Sequence, residues 1–140
     1  MKRTVLRPVL LGLLLATMGN AMAAPNVQTG FSPEGSALKL VLQTVREAQQ
    51  SIRLMGYLFT SPEVTGALVQ AKRNGVDVRV VLDERDNRAP ASVAAMNALV
   101  NAGIPVRTVS QFKIMHDKVI VVDGQTVETG SFNYVRHVYA

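Results

Sequence analysis

The chain has 140 residues, a formal net charge of +5, 48% hydrophobic residues and no cysteine. Its length and apolar content predict one globular domain and exclude a disordered chain. The absence of cysteine excludes disulfides, cysteine-ligated zinc, iron–sulfur clusters and a cysteine nucleophile. Because the chain has only two histidines, we expect no dedicated transition-metal site and no cofactor.

The first 23 residues have the pattern of a secretory signal peptide. Its basic residues are Lys2, Arg3 and Arg7. An apolar run of ten residues from Val9 to Met18 follows, and then a small-residue cleavage site, Ala21-Met22-Ala23. The alternative, a membrane-spanning anchor, needs about 20 apolar residues. Cleavage after Ala23 removes three of the 15 basic residues and no acidic one, which leaves 117 residues with a net charge of +2. We expect a periplasmic or secreted protein.

The first half of the mature chain alternates strand and helix patterns. Val27–Phe31 predicts a short strand, and Ser32-Pro33-Glu34 predicts a helix start, with Ser as the cap and Pro in the first turn. Ile52–Phe59 is an apolar run of strand length. The signal Ser61-Pro62-Glu63 then predicts the start of a second helix, which Asn74-Gly75 ends.

The second half continues the alternation and ends in a hairpin. Val76–Asp83 predicts a strand, and a polar loop leads into a third helix that Asn101-Ala102-Gly103 ends. The residues expected to face inward from this helix are Val93, Met96, Leu99 and Val100. The remaining predicted strands are Ile104–Val109, Lys118–Val122 and Thr126–Thr129, the last two joined by the hairpin dipeptide Asp123-Gly124.

These elements predict an α/β fold. Strands that alternate with helices form β-α-β units with parallel pairing, and the terminal hairpin adds an antiparallel element. We therefore predict a single domain over residues 24–140, built on a mixed, mainly parallel sheet with helices on both faces.

The segment from His116 to Asn133 carries the candidate chemistry. Side chains alternate faces along a strand, so His116 and Lys118 point the same way. The hairpin turns the chain back, which can bring Ser131 and Asn133 alongside them. An imidazole can attack phosphorus, an ammonium group can neutralise phosphate oxygens, and a hydroxyl and an amide can donate hydrogen bonds to developing charge.

Each of these residues also has a purely structural interpretation. A histidine at a strand end is commonly a hydrogen-bonded structural residue, and a lysine at a strand start is commonly a solvated residue. Asp123 before Gly124 is by itself a turn residue. Asp83 and Glu84, which follow a strand, are by default a helix cap or loop charges. The joint occurrence at fixed spacing favours the functional interpretation.

The spacing resembles the HKD signature of the phospholipase D superfamily: His-x-Lys, four residues, Asp, six residues, Gly-Ser-x-Asn. The rest of the mature chain is similar to the Nuc-type bacterial endonucleases of that superfamily, in segments such as 30–35, 75–78 and 103–107. The resemblance implies metal-independent hydrolysis of phosphodiesters in DNA and RNA. It implies that His116 is the nucleophile that forms a phosphohistidine, that Lys118 and Asn133 bind phosphate oxygens, and that Ser131 supports them. Asp123 is the Asp of the signature, for which the residues alone suggest a turn or supporting role.

The resemblance also implies a homodimer, because the mechanism uses two imidazoles and this chain carries one motif. His137 is the one in-chain alternative, and it has none of the motif's partners beside it. After Asn133 the sequence departs from the family pattern, which continues through a Glu that orients the nucleophile, a further strand and a helix. We therefore expect a C-terminally incomplete domain that lacks its last strand and helix.

Three functions remain open from sequence. The first is an exported, non-specific DNA/RNA endonuclease with nucleic acid as substrate. The second is phospholipase D activity on phospholipids, without stable membrane insertion after signal cleavage. The third is an inactive remnant that binds polyanions through surface cations. The candidate cations are Arg53, Lys72, Arg73, Arg85, Arg88 and Lys113.

Overall fold

The computed structural model describes residues 24–136, so the predicted signal peptide and His137 lie outside the described residues. Three helices and five strands make up this part of the chain, and they alternate as far as β3. In chain order they are α1 (Ser36–Arg46), β1 (Ser51–Gly56), α2 (Pro62–Arg73), β2 (Asp77–Asp83), α3 (Pro90–Asn101), β3 (Val106–Val109), β4 (Lys118–Val122) and β5 (Thr126–Thr129). None of the helices between residues 24 and 136 is long and apolar enough to cross a membrane.

The five strands form one mixed sheet in the order β3-β2-β1-β4-β5. β1 pairs in parallel with β2, and β2 with β3, whereas β4 runs antiparallel to both β1 and β5. This confirms the α/β class and the mixed sheet. The predicted hairpin is also confirmed, since β4 and β5 have the predicted bounds. Two of the four strand pairings are thus parallel and two antiparallel.

The apolar core lies on one face of the sheet. Ile52 and Leu54 of β1, Val80 of β2 and Ile120 of β4 are buried there against all three helices, in one contiguous cluster. The opposite face carries exposed or half-buried residues such as Met55. The prediction of helices on both faces therefore needs a correction for residues 24–136, in which all three helices cover the same face. The reason is topological: β1, β2 and β3 follow one another in one direction across the sheet, so right-handed crossovers place α2 and α3 on one side. α1, which precedes β1, packs against α2.

The two predicted Ser-Pro-Glu helix starts differ in the structure. Ser61 caps α2 as predicted, and its hydroxyl accepts a hydrogen bond from the backbone N–H of Val64 at 3.2 Å. Ser32 does not cap α1, because the helix begins at Ser36 after Gly35, whose φ of 85° a glycine adopts without strain. The Ser36 hydroxyl instead accepts from the N–H of Phe31 at 2.7 Å. This contact fixes the turn before α1.

Several predicted element bounds were wrong. Val27–Phe31 is not a strand, and the run predicted as Ile52–Phe59 is a strand only to Gly56. β2 and β3 begin one and two residues later than predicted. The predicted inward face of α3 was right for Leu99, which is buried, and for Met96, which packs against the core, but wrong for Val93 and Val100, which are 40% and 54% exposed. Ser92 and Ala95 are buried in their place. Because α3 is apolar almost all round, its periodicity does not distinguish two neighbouring stripes.

Candidate active site

The candidate site begins where β4 starts, at the end of the sheet where the parallel strands β1 and β2 finish. Lys118 is the first residue of β4 and pairs with Gly56, the last residue of β1. Lys118 is buried, with 5% of its surface exposed, and its Nζ donates a hydrogen bond to the carbonyl oxygen of His116 at 3.1 Å. The His116 side chain is exposed. A buried cation is thus bonded to the backbone of a residue with an exposed imidazole, at the end of an open α/β sheet where ligands commonly bind.

Tyr57 lies against both residues. Its ring centroid is 4.6 Å from that of His116, with the planes tilted by 59°, and the Lys118 Nζ is 5.2 Å from the Tyr57 centroid. Desolvation and the nearby carboxylates of Asp86 and Asp83 raise the pKa of the Tyr57 phenol, so it stays protonated at neutral pH. Sequence reasoning missed Tyr57. The available signal was its position directly after β1, the strand that pairs with β4.

Two polar residues in the loop after β2 fix the surroundings of Tyr57 and His116. The buried Asn87 side chain accepts from the N–H of Phe59 at 2.9 Å and donates to the carbonyl oxygens of Tyr57 and Asp83. The buried Asp83 carboxylate accepts from the backbone N–H of Met115 at 2.8 Å and of Asp86 at 3.0 Å. Asn87 therefore holds the segment after β1, and Asp83 holds the residue next to His116.

The charge of Asp83 is stabilised by these backbone contacts. Burial raises its pKa, but the backbone hydrogen bonds from Met115, Asp86 and Arg85 outweigh burial, so the pKa is lowered overall. Asp83 is thus a carboxylate at neutral pH. The sequence suggested a cap or loop charge at this position, and the structure gives it the specific task of joining the loop after β2 to the start of β4.

The segment after β5 returns to the same end of the sheet. Tyr134 bridges to Phe59, and its carbonyl oxygen accepts from the N–H groups of Thr60 and Ser61, each at 2.9 Å. Its ring packs over Gly56, where an added Cβ would come within 3.2 Å of Tyr134 Cδ2. Tyr134 follows Asn133 and contacts the glycine that pairs with Lys118, so this segment brings Ser131 and Asn133 to the end of the sheet that carries Lys118.

Ser131 and Asn133 differ in exposure. Ser131 is exposed, and Asn133 is half-buried. Over residues 24–136, the buried Oδ1 of Asn133 has no hydrogen-bond partner. Both residues line a groove of about 780 Å³ between the 26–32 segment, α1 and β5. A buried polar atom left without a partner is uncommon in folded proteins and marks this position as one that a ligand or water can complete.

Asp123 lies apart from the other predicted site residues. It follows β4 at the opposite end from Lys118, about 16 Å away along an extended strand. Its carboxylate accepts three backbone hydrogen bonds, from Gln49 at 2.9 Å and from Gln50 and Ser51 at 2.8 Å. These hydrogen bonds lower the pKa of Asp123, and the bond from the Ser51 N–H has the largest effect. The structure therefore does not bring Asp123 to the other four residues and gives it a role in holding the loop between α1 and β1.

The candidate side chains are the Lys118 ammonium group, the His116 imidazole, the Ser131 hydroxyl and the Asn133 carboxamide. Each can donate a hydrogen bond to an anion. Within the described range, no group of three or more histidine, aspartate or glutamate side chains is arranged to hold a metal ion. Lys118 supplies a positive charge with little competing hydration, and donors near it act in a partly desolvated place where they interact strongly with a phosphate.

Comparison with known proteins places this arrangement in a family. Residues 41–138 match the family described as cardiolipin synthase, PLD-like domain. The chain belongs to the phospholipase D superfamily. It is 58% identical to Nuc from Salmonella typhimurium, a phospholipase D family member, and superimposes on its crystal structure with a TM-score of 0.80 over 81% of this chain and 74% of that chain. NucT from Helicobacter pylori shares the fold at 21% identity and a TM-score of 0.65, over 74% of this chain and 71% of that chain.

Curated relatives of this chain are named for activities on lipids. A phospholipase D from Rickettsia prowazekii is 34% identical over 113 residues, which are 81% of this chain and 54% of the relative. A mitochondrial cardiolipin hydrolase from Xenopus laevis is 38% identical over 99 residues, 71% of this chain and 46% of the relative. The chain spans about half the length of these curated relatives. The resemblance stated from sequence is confirmed at the level of the superfamily.

Proposed function

We propose that this protein is an exported phosphodiesterase that cleaves nucleic acid without sequence preference, using His116 as its nucleophile. The observation that carries this proposal is that the exposed imidazole of His116 and the buried ammonium group of Lys118 both lie against the Tyr57 ring, with Lys118 Nζ bonded to the His116 carbonyl oxygen. Such a pair offers an attacking nitrogen and a fixed positive charge for the same phosphate. The export part of the proposal rests on the signal-like pattern of residues 1–23.

In the proposed reaction, a nitrogen of the His116 imidazole attacks phosphorus and forms a P–N bond. The bond to the leaving oxygen breaks, and a second imidazole protonates that oxygen. Water then attacks the phosphohistidine, gives its proton to the second imidazole and restores free His116. Lys118 neutralises the non-bridging oxygens throughout, while the Asn133 amide and the Ser131 hydroxyl donate hydrogen bonds to them.

The second imidazole is proposed to come from a second copy of the chain. The sequence holds two histidines, and the other one, His137, lies beyond the described residues. A two-fold dimer that brings two His116 side chains to one phosphate supplies one imidazole to attack and one to protonate. Exposure of His116 at the end of the sheet is compatible with such an arrangement.

Nucleic acid is proposed as the substrate on the strength of similarity. The 58% identity to Nuc exceeds the 34% and 38% identities to the relatives with lipid-directed names. Hydrolysis of phospholipids is the second candidate function, and the names of those relatives favour it. The proposed residues act on the phosphodiester itself, which nucleic acids and phospholipids share. Both candidates use the same residues in the same roles.

Parallel assays distinguish these substrates. The purified chain is incubated in excess chelator with supercoiled plasmid, with single-stranded DNA and RNA, and with vesicles of phosphatidylcholine or cardiolipin. We expect nicking and degradation of nucleic acid, no release of headgroup or phosphatidic acid, and no activity in His116→Asn. Headgroup release alone would select the lipid function. Activity that is lost in chelator and restored by a divalent ion would refute the mechanism.

The covalent intermediate and the dimer have separate tests. The phosphohistidine adduct trapped from a labelled phosphodiester should be stable to alkali and labile to acid. It should not form in His116→Asn. When wild-type chains exchange with excess His116→Asn chains, activity should fall further than dilution alone explains, because mixed dimers lack one imidazole. Activity strictly proportional to the number of wild-type chains would overturn the dimer proposal.

A further inference from the structure

The proposed nucleophile lacks a polar group that would fix its ring. Over residues 24–136, the His116 imidazole makes no hydrogen bond, and its side chain is exposed. An exposed imidazole rotates freely about its side-chain torsions, whereas attack on phosphorus requires one nitrogen to keep a defined direction. Something else must therefore restrict His116 if the site is organised before substrate binds.

Tyr57 makes the contact that can restrict it. The centroid separation of 4.6 Å and the tilt of 59° lie in the range of favourable aromatic pairs, so the imidazole lies against the phenol ring. The same ring lies 5.2 Å from the Lys118 Nζ, within the range of a cation–π interaction. One aromatic side chain thus contacts both the imidazole and the ammonium group of the proposed site.

The backbone of Tyr57 is itself held in place. Its carbonyl oxygen accepts from the Asn87 side chain, and the Asp86 carboxylate lies close enough to its hydroxyl to raise the pKa of the phenol. The Asp86 backbone is tied to Asp83, and the same Asp83 carboxylate also binds the N–H of Met115, the residue before His116. The ring that contacts His116 and the backbone that carries His116 are therefore anchored to one buried carboxylate.

We propose that Tyr57 is a positioning residue that orients the His116 imidazole and keeps the Lys118 ammonium group directed at the phosphate. The inference rests on the proposed function for what the orientation serves, and on the ring contacts for the orientation itself. Tyr57 acts through its ring rather than through its hydroxyl. A flat ring at position 57 is therefore required for the orientation of His116, whereas the hydroxyl is not.

The orientation has a spectroscopic test that does not depend on activity. In the NMR spectrum of the full chain, the imidazole protons of His116 should show nuclear Overhauser contacts to the Tyr57 ring and ring-current displaced shifts. The chain has two histidines, so the spectrum of His116→Asn assigns the signals. Tyr57→Phe should preserve the displaced shifts, and Tyr57→Leu should move them to the position of a free histidine. Absence of the Overhauser contacts in the wild type would overturn the proposal without any variant.

The kinetic test separates positioning from binding. On a small phosphodiester such as bis(p-nitrophenyl) phosphate, Tyr57→Leu should lower kcat by about 10- to 100-fold with KM within about threefold, because orientation acts on the reacting geometry. Tyr57→Phe should stay within about threefold of the wild type in kcat, since it keeps the ring. Val100→Ala, which shortens an exposed apolar side chain of α3 away from the site, is the control and should leave kcat unchanged.

The outcomes distinguish this inference from the proposed function. If the wild type cleaves phosphodiesters and folded Tyr57→Leu keeps both its kcat and the displaced His116 shifts, the positioning role is refuted and the proposed function stands. If the wild type cleaves nothing, the proposed function fails, and the Overhauser contacts and shifts alone decide whether Tyr57 orients His116. Should Tyr57→Leu fail to fold, Tyr57→Met, which fills the space without a flat ring, takes its place in both measurements.

Discussion

The two ends of strand β4 carry parts of one sequence motif and are built in opposite ways. At the turn end, each Asp123 carboxylate oxygen accepts at least one backbone N–H, three bonds in all, and the Asp123 N–H donates to the carbonyl oxygen of Ser51 at 2.9 Å. At the other end, the buried Lys118 makes one hydrogen bond and the buried Asn133 Oδ1 makes none within residues 24–136. One end is complete within the described residues, and the other leaves groups available for a ligand.

The difference shows that the motif combines architecture with chemistry. Asp123 ties the loop before β1 to the turn after β4, and this tie sets the register that pairs Gly56 with Lys118. Residues at fixed spacing in a motif therefore need not meet at one site. Polar groups that leave hydrogen-bonding capacity unused are the better indicator of where chemistry takes place.

Removal of the Lys118 charge should have the largest effect. Lys118→Met should lower kcat/KM for phosphodiesters by at least about 100-fold, because a fixed positive charge at the phosphate is lost. The free energy of unfolding should stay the same or rise, since no ion pair to this buried ammonium group exists in the described part of the chain. The measurements are steady-state kinetics and urea unfolding.

The exposed Lys39→Met is the matched control for Lys118→Met and should change neither quantity. A Lys118→Met variant that unfolds more easily while keeping its activity would reverse the comparison. It would make this end of β4 the structural one.

Substitution of Asp123 should have the opposite profile. Asp123→Asn keeps a residue that tolerates the φ of 53° but loses the charge and one of the two acceptor oxygens. Its Tm should therefore fall by several degrees, while kcat per folded molecule stays unchanged. The folded pKa of Asp123 is lowered, so its stabilisation is present above the unfolded pKa of about 3.9 and is lost as pH falls below it. The Tm deficit should therefore shrink below about pH 4.

Thermal unfolding at pH 7 and pH 3 measures this effect. Glu34→Gln, at an exposed carboxylate, is the control and should show no deficit at either pH. A fall in kcat without a fall in Tm would show that Asp123 acts on the site despite its distance from Lys118.

Steric crowding at Gly56 should have an intermediate effect. An added Cβ would meet Leu82 at 3.0 Å and Tyr134 at 3.2 Å, so Gly56→Ala should lower the free energy of unfolding by about 1–3 kcal/mol. It should also lower activity, since Tyr134 anchors the segment that carries Asn133. Gly66→Ala, in α2 with no atom within 4 Å of an added Cβ, should instead gain up to about 1 kcal/mol. Equal effects of the two substitutions in urea unfolding would contradict the packing at Gly56.

Sequence patterns predicted the fold better than the surroundings of the site. β4, β5 and the cap at Ser61 follow from local signals, namely alternation, a turn dipeptide and a Ser-Pro start. The buried side of α3 does not, because an apolar helix has no single amphipathic stripe. The pairing of β1 with β4, and hence the contact of Tyr57 with His116, depends on strands far apart in sequence. No local pattern encodes such a register.

The smallest expected effect concerns Glu128, a carboxylate whose environment is the reverse of that of Asp123. Burial raises the pKa of Glu128, and the Tyr134 hydroxyl, which donates to it at 2.9 Å, lowers the pKa only in part. The folded chain therefore disfavours the charged form, and this destabilisation appears as pH rises above the unfolded pKa of about 4.3. Glu128→Gln keeps an acceptor for Tyr134 without a charge, so it should be slightly more stable than the wild type at pH 7 and equally stable below about pH 4. Urea unfolding at both pH values tests the sign. A Glu128→Gln variant that is less stable at pH 7 would mean that the folded chain favours the charged form of Glu128, as it does for Asp123.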